Sequence, residues 1–251
     1  MRNIWIIAKR ELSSFYLSPL AYIVYALFYL ILGFFFANDF FQLVDALSKN
    51  QMGSSQAFEH TELFRYFWQS SLIIFIFLLP SITMSLFAEE KRSGTFELLF
   101  TKPINDWEVV IGKYLASFIE FAIMISGTLI YVLILALTGK PDYGWLLTIY
   151  IGVLLVGASF LSLGLLASSI TDNQVVAAIF GFVILLIFWL FTFLSQSLPA
   201  FSGLFDYIAI PMRFESFSKG LIDLKDITFF ICFTGFVLFL TTRIIESRKW
   251  R

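Results

Sequence analysis

Long runs of apolar residues dominate the chain, and short polar stretches separate them. A helix needs about 20 apolar residues to cross a membrane. Backbone groups that face lipid must be hydrogen-bonded within their own segment, so each such run predicts a helix. The alternating pattern of a membrane β-barrel does not occur. We therefore predict an all-α integral membrane protein with six transmembrane helices, at 19–37, 66–87, 107–137, 145–169, 174–195 and 227–245.

The distribution of Lys and Arg predicts the orientation of these spans. Six spans place both termini, and the loops after the second and fourth spans, on one side of the membrane. That side carries eleven of the 17 Lys and Arg residues. Cytoplasmic loops are enriched in these residues, so both termini and 88–106 are predicted to be cytoplasmic. No A-x-A cleavage site follows the first span, so a cleaved signal peptide is not expected.

The N-terminal segment 3–17 is amphipathic. Ile4 and Leu12 lie on one face at helical spacing, whereas Lys9 and Arg10 lie on the other. This pattern is typical of a helix that lies in the cytoplasmic membrane interface. The alternative is an ordinary polar flank before the first span.

The pattern of residues 89–105 predicts defined secondary structure, which a simple connecting loop does not need. A Ser-Gly-Thr turn signal is followed by three apolar residues that share one face of a short helix: Phe96, Leu99 and Phe100. Pro103 ends that helix, and Asn105 with Glu108 predicts a capping box for the third span. An apolar face with flanking charges favours docking to a partner. The alternative is a helix that only packs on the membrane surface.

The region 196–226, on the opposite side, is too apolar for a solvated loop, although Pro and Gly interrupt it. We predict short re-entrant or interfacial helices there, because backbone at that depth must be buried or line a cavity. Two functions stay open, an outer gate over a pathway and an apolar cap that seals the bundle. The candidate gate residues are Pro199, Phe205, Pro211 and Phe214.

Composition removes several function classes. The chain is 59% hydrophobic and 14% charged with a net charge of −1, so a nucleic-acid partner is not expected. No phosphate-binding loop, catalytic motif or metal-ligand spacing occurs, which predicts that the chain is not an enzyme and holds no cofactor or metal itself. Its one Cys and one His cannot form an intrachain disulfide or a metal site alone.

Glu120 is the one clear acidic residue inside a predicted span. An ionisable residue at such a position is a functional candidate. The alternative is a carboxylate near the interface that is solvated or paired with a basic side chain such as Lys113. A self-sufficient carrier that relays through Glu120 would need further buried ionisable groups, and the spans contain few.

Three segments together resemble the permease subunits of ABC-2-type transporters: FAEEKRSGTFELLFTKPI, SSITDNQVVAAI and FESFSKGLIDLKDITFF. The likeness covers essentially the whole chain. Within that superfamily the chain looks most like the branch of the gliding-motility-associated (GldF-like) and nitrous-oxide-accessory (NosY-like) permeases.

The resemblance implies roles for three segments. The stretch after the second span would be a coupling helix that inserts into a cleft of a separate ATPase, with the contacts Glu89, Glu90, Gly94, Thr95, Phe96, Glu97, Leu98, Leu99, Phe100 and Pro103. The N-terminal helix would be a connecting helix on the same ATPase, through Ile4, Lys9, Arg10 and Leu12. The turn at Thr171, Asp172 and Asn173 would be a minor second contact.

The resemblance also implies an assembly. Two ATPase subunits, which bind the ATP and Mg, would drive a pair of identical or related permease chains in the bacterial cytoplasmic membrane. Export is the expected direction, and an extracytoplasmic accessory protein is a further candidate partner. The alternative function is a non-transporting membrane anchor that recruits an ATPase to envelope or motility machinery.

Overall fold

The computed structural model describes residues 2–48, 56–95, 105–138, 141–198 and 202–248. In these ranges the chain forms eleven helices and no strand, which confirms the predicted all-α class. The helices are α1 Arg2–Leu17, α2 Pro19–Ser48, α3 Gln56–Thr83, α4 Ser85–Arg92, α5 Asp106–Ser126, α6 Leu129–Thr138, α7 Tyr143–Ile170, α8 Gln174–Ser197, α9 Ser202–Ile208, α10 Ile210–Ser218 and α11 Leu224–Arg248.

The described ranges contain six helical segments that are long and apolar enough to cross a membrane, which confirms the predicted number. Two of these segments consist of two consecutive helices each. The second contains most of α3 followed by α4, and the third contains α5 followed by nearly all of α6. The segments are Pro19–Gln42, Phe64–Arg92, Asp106–Leu137, Tyr143–Ile170, Gln174–Ser195 and Leu224–Ser247.

The second and fourth spans form the centre of the bundle. In the most apolar part of these two spans 72% and 67% of the residues are buried inside the protein. The corresponding values are 28%, 17% and 28% for the first, fifth and sixth spans. Large side chains such as Trp68, Phe75 and Phe160 fill the space around these two spans. The outward faces of α2, α8 and α11 are apolar and exposed, as lipid or a second membrane chain requires.

The third span is broken between α5 and α6. The Tyr29 hydroxyl donates to the Met124 carbonyl at 2.9 Å, beside the break. Gly127 makes room for this side chain, because a Cβ at Gly127 would lie 2.2 Å from the Tyr29 oxygen. Thr128 also bonds across to Tyr150 at 3.0 Å. The break is therefore satisfied by neighbouring helices, as a break within a membrane must be.

A side chain of α7 caps the junction between α3 and α4. The Ser168 hydroxyl accepts hydrogen bonds from the backbone N–H groups of Phe87 and Ala88, at 3.0 and 3.1 Å. It also donates to the Met84 carbonyl at 3.0 Å. The first N–H groups of a helix have no partner within it, so Ser168 supplies what α4 lacks and fixes α4 to the end of α7.

At the opposite end of the bundle, α10 packs deeply against α7. Phe214 and Phe217 are fully buried there. Gly152 allows this approach, because a Cβ at Gly152 would lie 2.6 Å from the Cβ of Phe217. Gly152 is nine residues past Tyr143, the first residue of α7, and at 1.5 Å per residue this is about 14 Å along the axis. Short helices thus occupy 202–218, within the region where they were expected.

Candidate coupling site

The helix α1 lies directly on α5, at the end of the bundle where α4 and the last turn of α7 meet. Ile7 and Ala8 are buried in this contact. Gly112 allows the close approach, since a Cβ there would lie 2.9 Å from the Cβ of Ile7. The Asn3 amide also donates to the Glu108 carboxylate at 3.1 Å. The same carboxylate accepts from Asn105 N at 3.3 Å, as the predicted capping box requires.

Lys113 joins three elements at this place. Its side chain, on α5, is fully buried. The ammonium lies 3.1 Å from Glu11 Oε1 on α1 and 3.0 Å from Glu90 Oε2 on α4. It also donates to the Leu86 carbonyl at 2.5 Å and lies 5.2 Å from the centre of the Phe87 ring. One cation therefore connects the N-terminal helix, the end of the second span and the start of the third.

Arg10 completes a four-residue ion-pair cluster with Glu11, Glu90 and Lys113. Its guanidinium contacts Glu11 Oε1 at 2.7 Å and Glu90 Oε1 at 2.5 Å, and its own side chain is 55% exposed. Burial opposes ionisation of Glu11, but Lys113 and Arg10 outweigh it and hold the pKa of Glu11 below its ordinary value. We name Arg10, Glu11, Glu90 and Lys113 the ion-pair cluster.

The last turn of α4 contacts the turn between α7 and α8. The Lys91 ammonium donates to the Ser169 carbonyl and lies 4.0 Å from the Asp172 carboxylate. Beside this contact, Glu89, Arg92, Ser93 and Gln174 line an open depression of about 270 Å³. The first residues of the predicted coupling segment and the predicted minor contact are thus parts of one polar surface.

The described part of the coupling segment ends at Thr95. Glu89 is exposed, Glu90 is in the ion-pair cluster, and Thr95 donates to the Glu90 carbonyl at 3.3 Å. Gly94 has φ +70°, a left-handed conformation that favours glycine, and it turns the chain away from α4. The remaining predicted contacts lie outside the described residues: Phe96, Glu97, Leu98, Leu99, Phe100 and Pro103.

The other predicted contact residues lie at the same end of the bundle. On α1, Lys9 is exposed, whereas Ile4 and Leu12 are half-buried. In the turn, the Asn173 side chain accepts from Val175 N at 2.9 Å, which caps α8. The Thr171 hydroxyl accepts from Asn173 N at 3.2 Å. Thr171 and Asn173 therefore have structural roles here, whereas Asp172 is exposed beside Lys91.

Glu120 does not pair with Lys113, contrary to the alternative that the sequence left open. It is 2% exposed, and its Oε1 accepts a hydrogen bond from the Tyr25 hydroxyl at 2.5 Å. Lys113, two turns earlier on the same helix, is directed to Glu11, Glu90 and Leu86 instead. The hydroxyl partner of Glu120 comes from α2, and no sequence signal pointed to it.

At the other end, the candidate gate residues are packed rather than exposed. Phe214 is fully buried, Phe205 stacks on Phe191 with ring centres 5.8 Å apart, and Pro211 is in the first turn of α10. Pro199 lies outside the described residues.

The sequence reasoning missed Arg213 and Asp226, which form a buried ion pair at 2.7 Å. Arg213 also donates to the Tyr207 carbonyl at 3.1 and 3.2 Å and lies over the Tyr207 and Phe229 rings. The pair ties α9, α10 and the start of α11 together. The interruption of an apolar region by a single Arg was the available signal.

Six spanning helices and an N-terminal helix held against the end of the bundle define a multi-pass membrane protein. The model of the ABC-2 family transporter protein family matches residues 5–213, which is well over half of the chain. The chain therefore belongs to the ABC-2 transporter family, whose members are the membrane permeases of ABC transporters and work with an ABC ATPase. A search of the curated proteins gave no match.

Proposed function

We propose that the chain couples ATP hydrolysis by a separate ATPase subunit to movement of a substrate across the bacterial cytoplasmic membrane. The ATPase docks on the surface formed by α1, by 89–105 and by the turn at 171–173. Closure of two ATPases on ATP then moves this surface against the bundle, and the spans follow. The observation that carries the proposal is the ion-pair cluster, which joins α1, α4 and α5 through the buried Lys113.

A coupling element has to transmit a displacement without bending. Ser168 attaches α4 to the end of α7, and Lys91 attaches it to the following turn. A push on 89–95 would therefore reach the two most buried spans directly. Packed helices respond to such a push by moving between discrete arrangements rather than by continuous bending.

The assembly belongs to the same proposal. A second permease, identical or related, packs against part of the exposed apolar surface of α2, α8 or α11, and lipid covers the rest. The substrate leaves along the seam between the chains past α9 and α10, in the direction of export. Within the family, the chain belongs to the branch of the gliding-motility-associated and nitrous-oxide-accessory permeases. A further partner is an accessory protein outside the membrane.

The test separates docking from folding. The double variant Glu97→Arg with Leu99→Asp reverses a charge and removes an apolar contact on the coupling segment. We expect it to insert normally and to lose the ATPase in affinity purification, along with any stimulation of ATP hydrolysis. The matched control is Leu221→Asp, the same apolar-to-acidic change at an exposed residue of the opposite end, which should keep the ATPase. Normal binding and stimulation by the double variant would show that docking occurs elsewhere.

A further inference from the structure

Glu120 has one carboxylate oxygen with a partner and one without. Oε1 accepts from Tyr25, whereas Oε2 is buried and has no hydrogen-bonding partner among the described residues. Burial makes this arrangement costly for an anion, because an ionised carboxylate in a medium of low dielectric needs a counter-charge or several donors. A protonated carboxyl group needs much less, since it carries no net charge.

A small cavity lies at this side chain. Its volume is about 20 Å³, enough for one water molecule, which needs about 10–15 Å³ by the same measure. Three elements enclose it: α1 through Glu11, the second span through Ile82 and Leu86, and α5 through Ser117 and Glu120. Two carboxyl groups and a hydroxyl therefore share one water-sized space.

The charged and titratable groups around Glu120 leave it without a cation. From α1, Glu11 is held by Lys113 and Arg10. The Tyr16 hydroxyl lies 3.2 Å from that of Tyr25 and close enough to the Glu120 carboxyl group to interact with it, but it is a neutral group and supplies no cation. The second span contributes only Ile82 and Leu86 to the cavity. On α5, Lys113 is directed away to the ion-pair cluster. Among the described residues Glu120 forms no ion pair.

We propose that Glu120 is a proton-binding site, in which the carboxyl group holds a proton on Oε2 and donates a hydrogen bond through it to one water molecule that bridges to Glu11. On ionisation the proton passes from Oε2 to that water and then past Glu11, whose side chain is 14% exposed, to bulk water, and Glu120 becomes a carboxylate. Nothing is oxidised or reduced. The ligand of the site is therefore a proton, which exchanges with solvent through a single water molecule. Tyr25 holds the carboxyl group in position by donating a hydrogen bond to Oε1.

The site is placed where a movement of α1 would change it. If α1 moves from α5, as the proposed function requires, the cavity opens to water and the ionised form of Glu120 gains solvation. Proton release from Glu120 would then accompany the displacement of α1. Because coupling between two equilibria is reciprocal, protonation of Glu120 would in turn favour the docked position of α1. This consequence rests on the proposed function, whereas the proton site itself does not.

Infrared spectroscopy tests the site on the full chain alone, in lipid nanodiscs at neutral pH and without any ATPase. A protonated carboxyl group has a carbonyl stretch that an ionised carboxylate lacks. We expect this band in the wild type, its loss in Glu120→Gln, and its retention in Glu246→Gln, which changes an acid in an exposed ion pair. Tyr25→Phe should shift the band, because the hydrogen bond to Oε1 is lost, and D₂O should shift it by exchange through the cavity.

The opposite results would overturn the site. If Glu120→Gln removes only carboxylate bands, Glu120 is ionised and the proposal is wrong. If D₂O leaves the carboxyl band in place while backbone amides of α1 exchange, the water-linked path is wrong. Folding of Glu120→Gln is checked by amide exchange in α5, which should stay within about threefold of the wild type, because Gln resembles the neutral acid. A failure here leaves docking of the ATPase untouched, so the two proposals are separable.

Discussion

Removal of the Lys113 ammonium should release α1 from the bundle. Lys113→Met keeps most of the side-chain volume but removes the charge that lies between Glu11 and Glu90, at 3.1 and 3.0 Å. The Lys113 side chain is 0% exposed, and those of Glu11 and Glu90 are only 14% and 17% exposed. Two carboxylates would then share a largely buried site with Arg10 as their remaining cation.

The free-energy cost of Lys113→Met depends on how deeply the ion pairs are buried and on the cation that remains, Arg10. Removal of one partner from a buried ion pair costs about 3–5 kcal/mol, because the other charge stays buried. Arg10 remains within 2.7 Å of both acids, so we take the lower value. About 3 kcal/mol corresponds to a change on the order of 100-fold in an equilibrium constant. Local opening of α1 should therefore become roughly 100 times more frequent.

Hydrogen exchange followed by mass spectrometry measures this opening on the chain in nanodiscs. Amides of α1 should exchange about 100 times faster in Lys113→Met, whereas amides of α7 should be unchanged. Lys9→Met is the matched control, since it makes the same substitution at an exposed residue of α1. The triple variant with Lys113→Met, Glu11→Gln and Glu90→Gln should recover most of the protection, because no buried charge is left uncompensated. Equal exchange in Lys113→Met and in the Lys9→Met control would show that Lys113 does not hold α1 on the bundle.

Three further predictions use the same exchange measurement. The pKa of Glu11 is lowered in the folded protein, so ionised Glu11 stabilises the docked position of α1 above the ordinary pKa of a carboxyl group. This stabilisation is lost as the pH falls through the lowered pKa. Below that pH α1 should open, and Glu11→Gln should remove this pH dependence. Gly112→Ala should loosen α1, because its Cβ would meet Ile7, and Gly235→Ala, with nothing within 4 Å, should not; equal exchange in both would contradict the contact. Ser168→Ala should cost about 1–3 kcal/mol by leaving two buried N–H groups without a partner, seen as faster exchange at the start of α4; unchanged rates there would exclude the cap.

The helical class and the number of spans could be predicted because they depend on local pattern. Each span has its own run of apolar residues, and α1 was expected at 3–17 and is observed at Arg2–Leu17. The break in the third span was not predicted. It depends on the Tyr29 side chain filling the space beside Gly127, and Tyr29 is almost 100 residues away in the chain.

The candidate site was predicted as separate segments but not as a connected unit. The sequence pattern placed Lys113 among the charges of the cytoplasmic side, and nothing local indicates that it is buried between Glu11 and Glu90. Pairing of this kind is a tertiary property, since the partners come from three helices. Buried ionisable residues are costly in isolation, so the sequence shows that Lys113, Arg213 and Glu120 need partners but does not identify them.

The most direct test of coupling is to identify what the chain binds in its native membrane. The tagged chain is extracted gently, purified, and its partners are quantified by mass spectrometry alongside the Glu97→Arg with Leu99→Asp variant. We expect a Walker-motif ATPase in stoichiometric amount with the wild type and its loss from the variant. Recovery of the wild-type chain with no ATPase in several detergents, or equal recovery of the ATPase with both forms, would contradict the account.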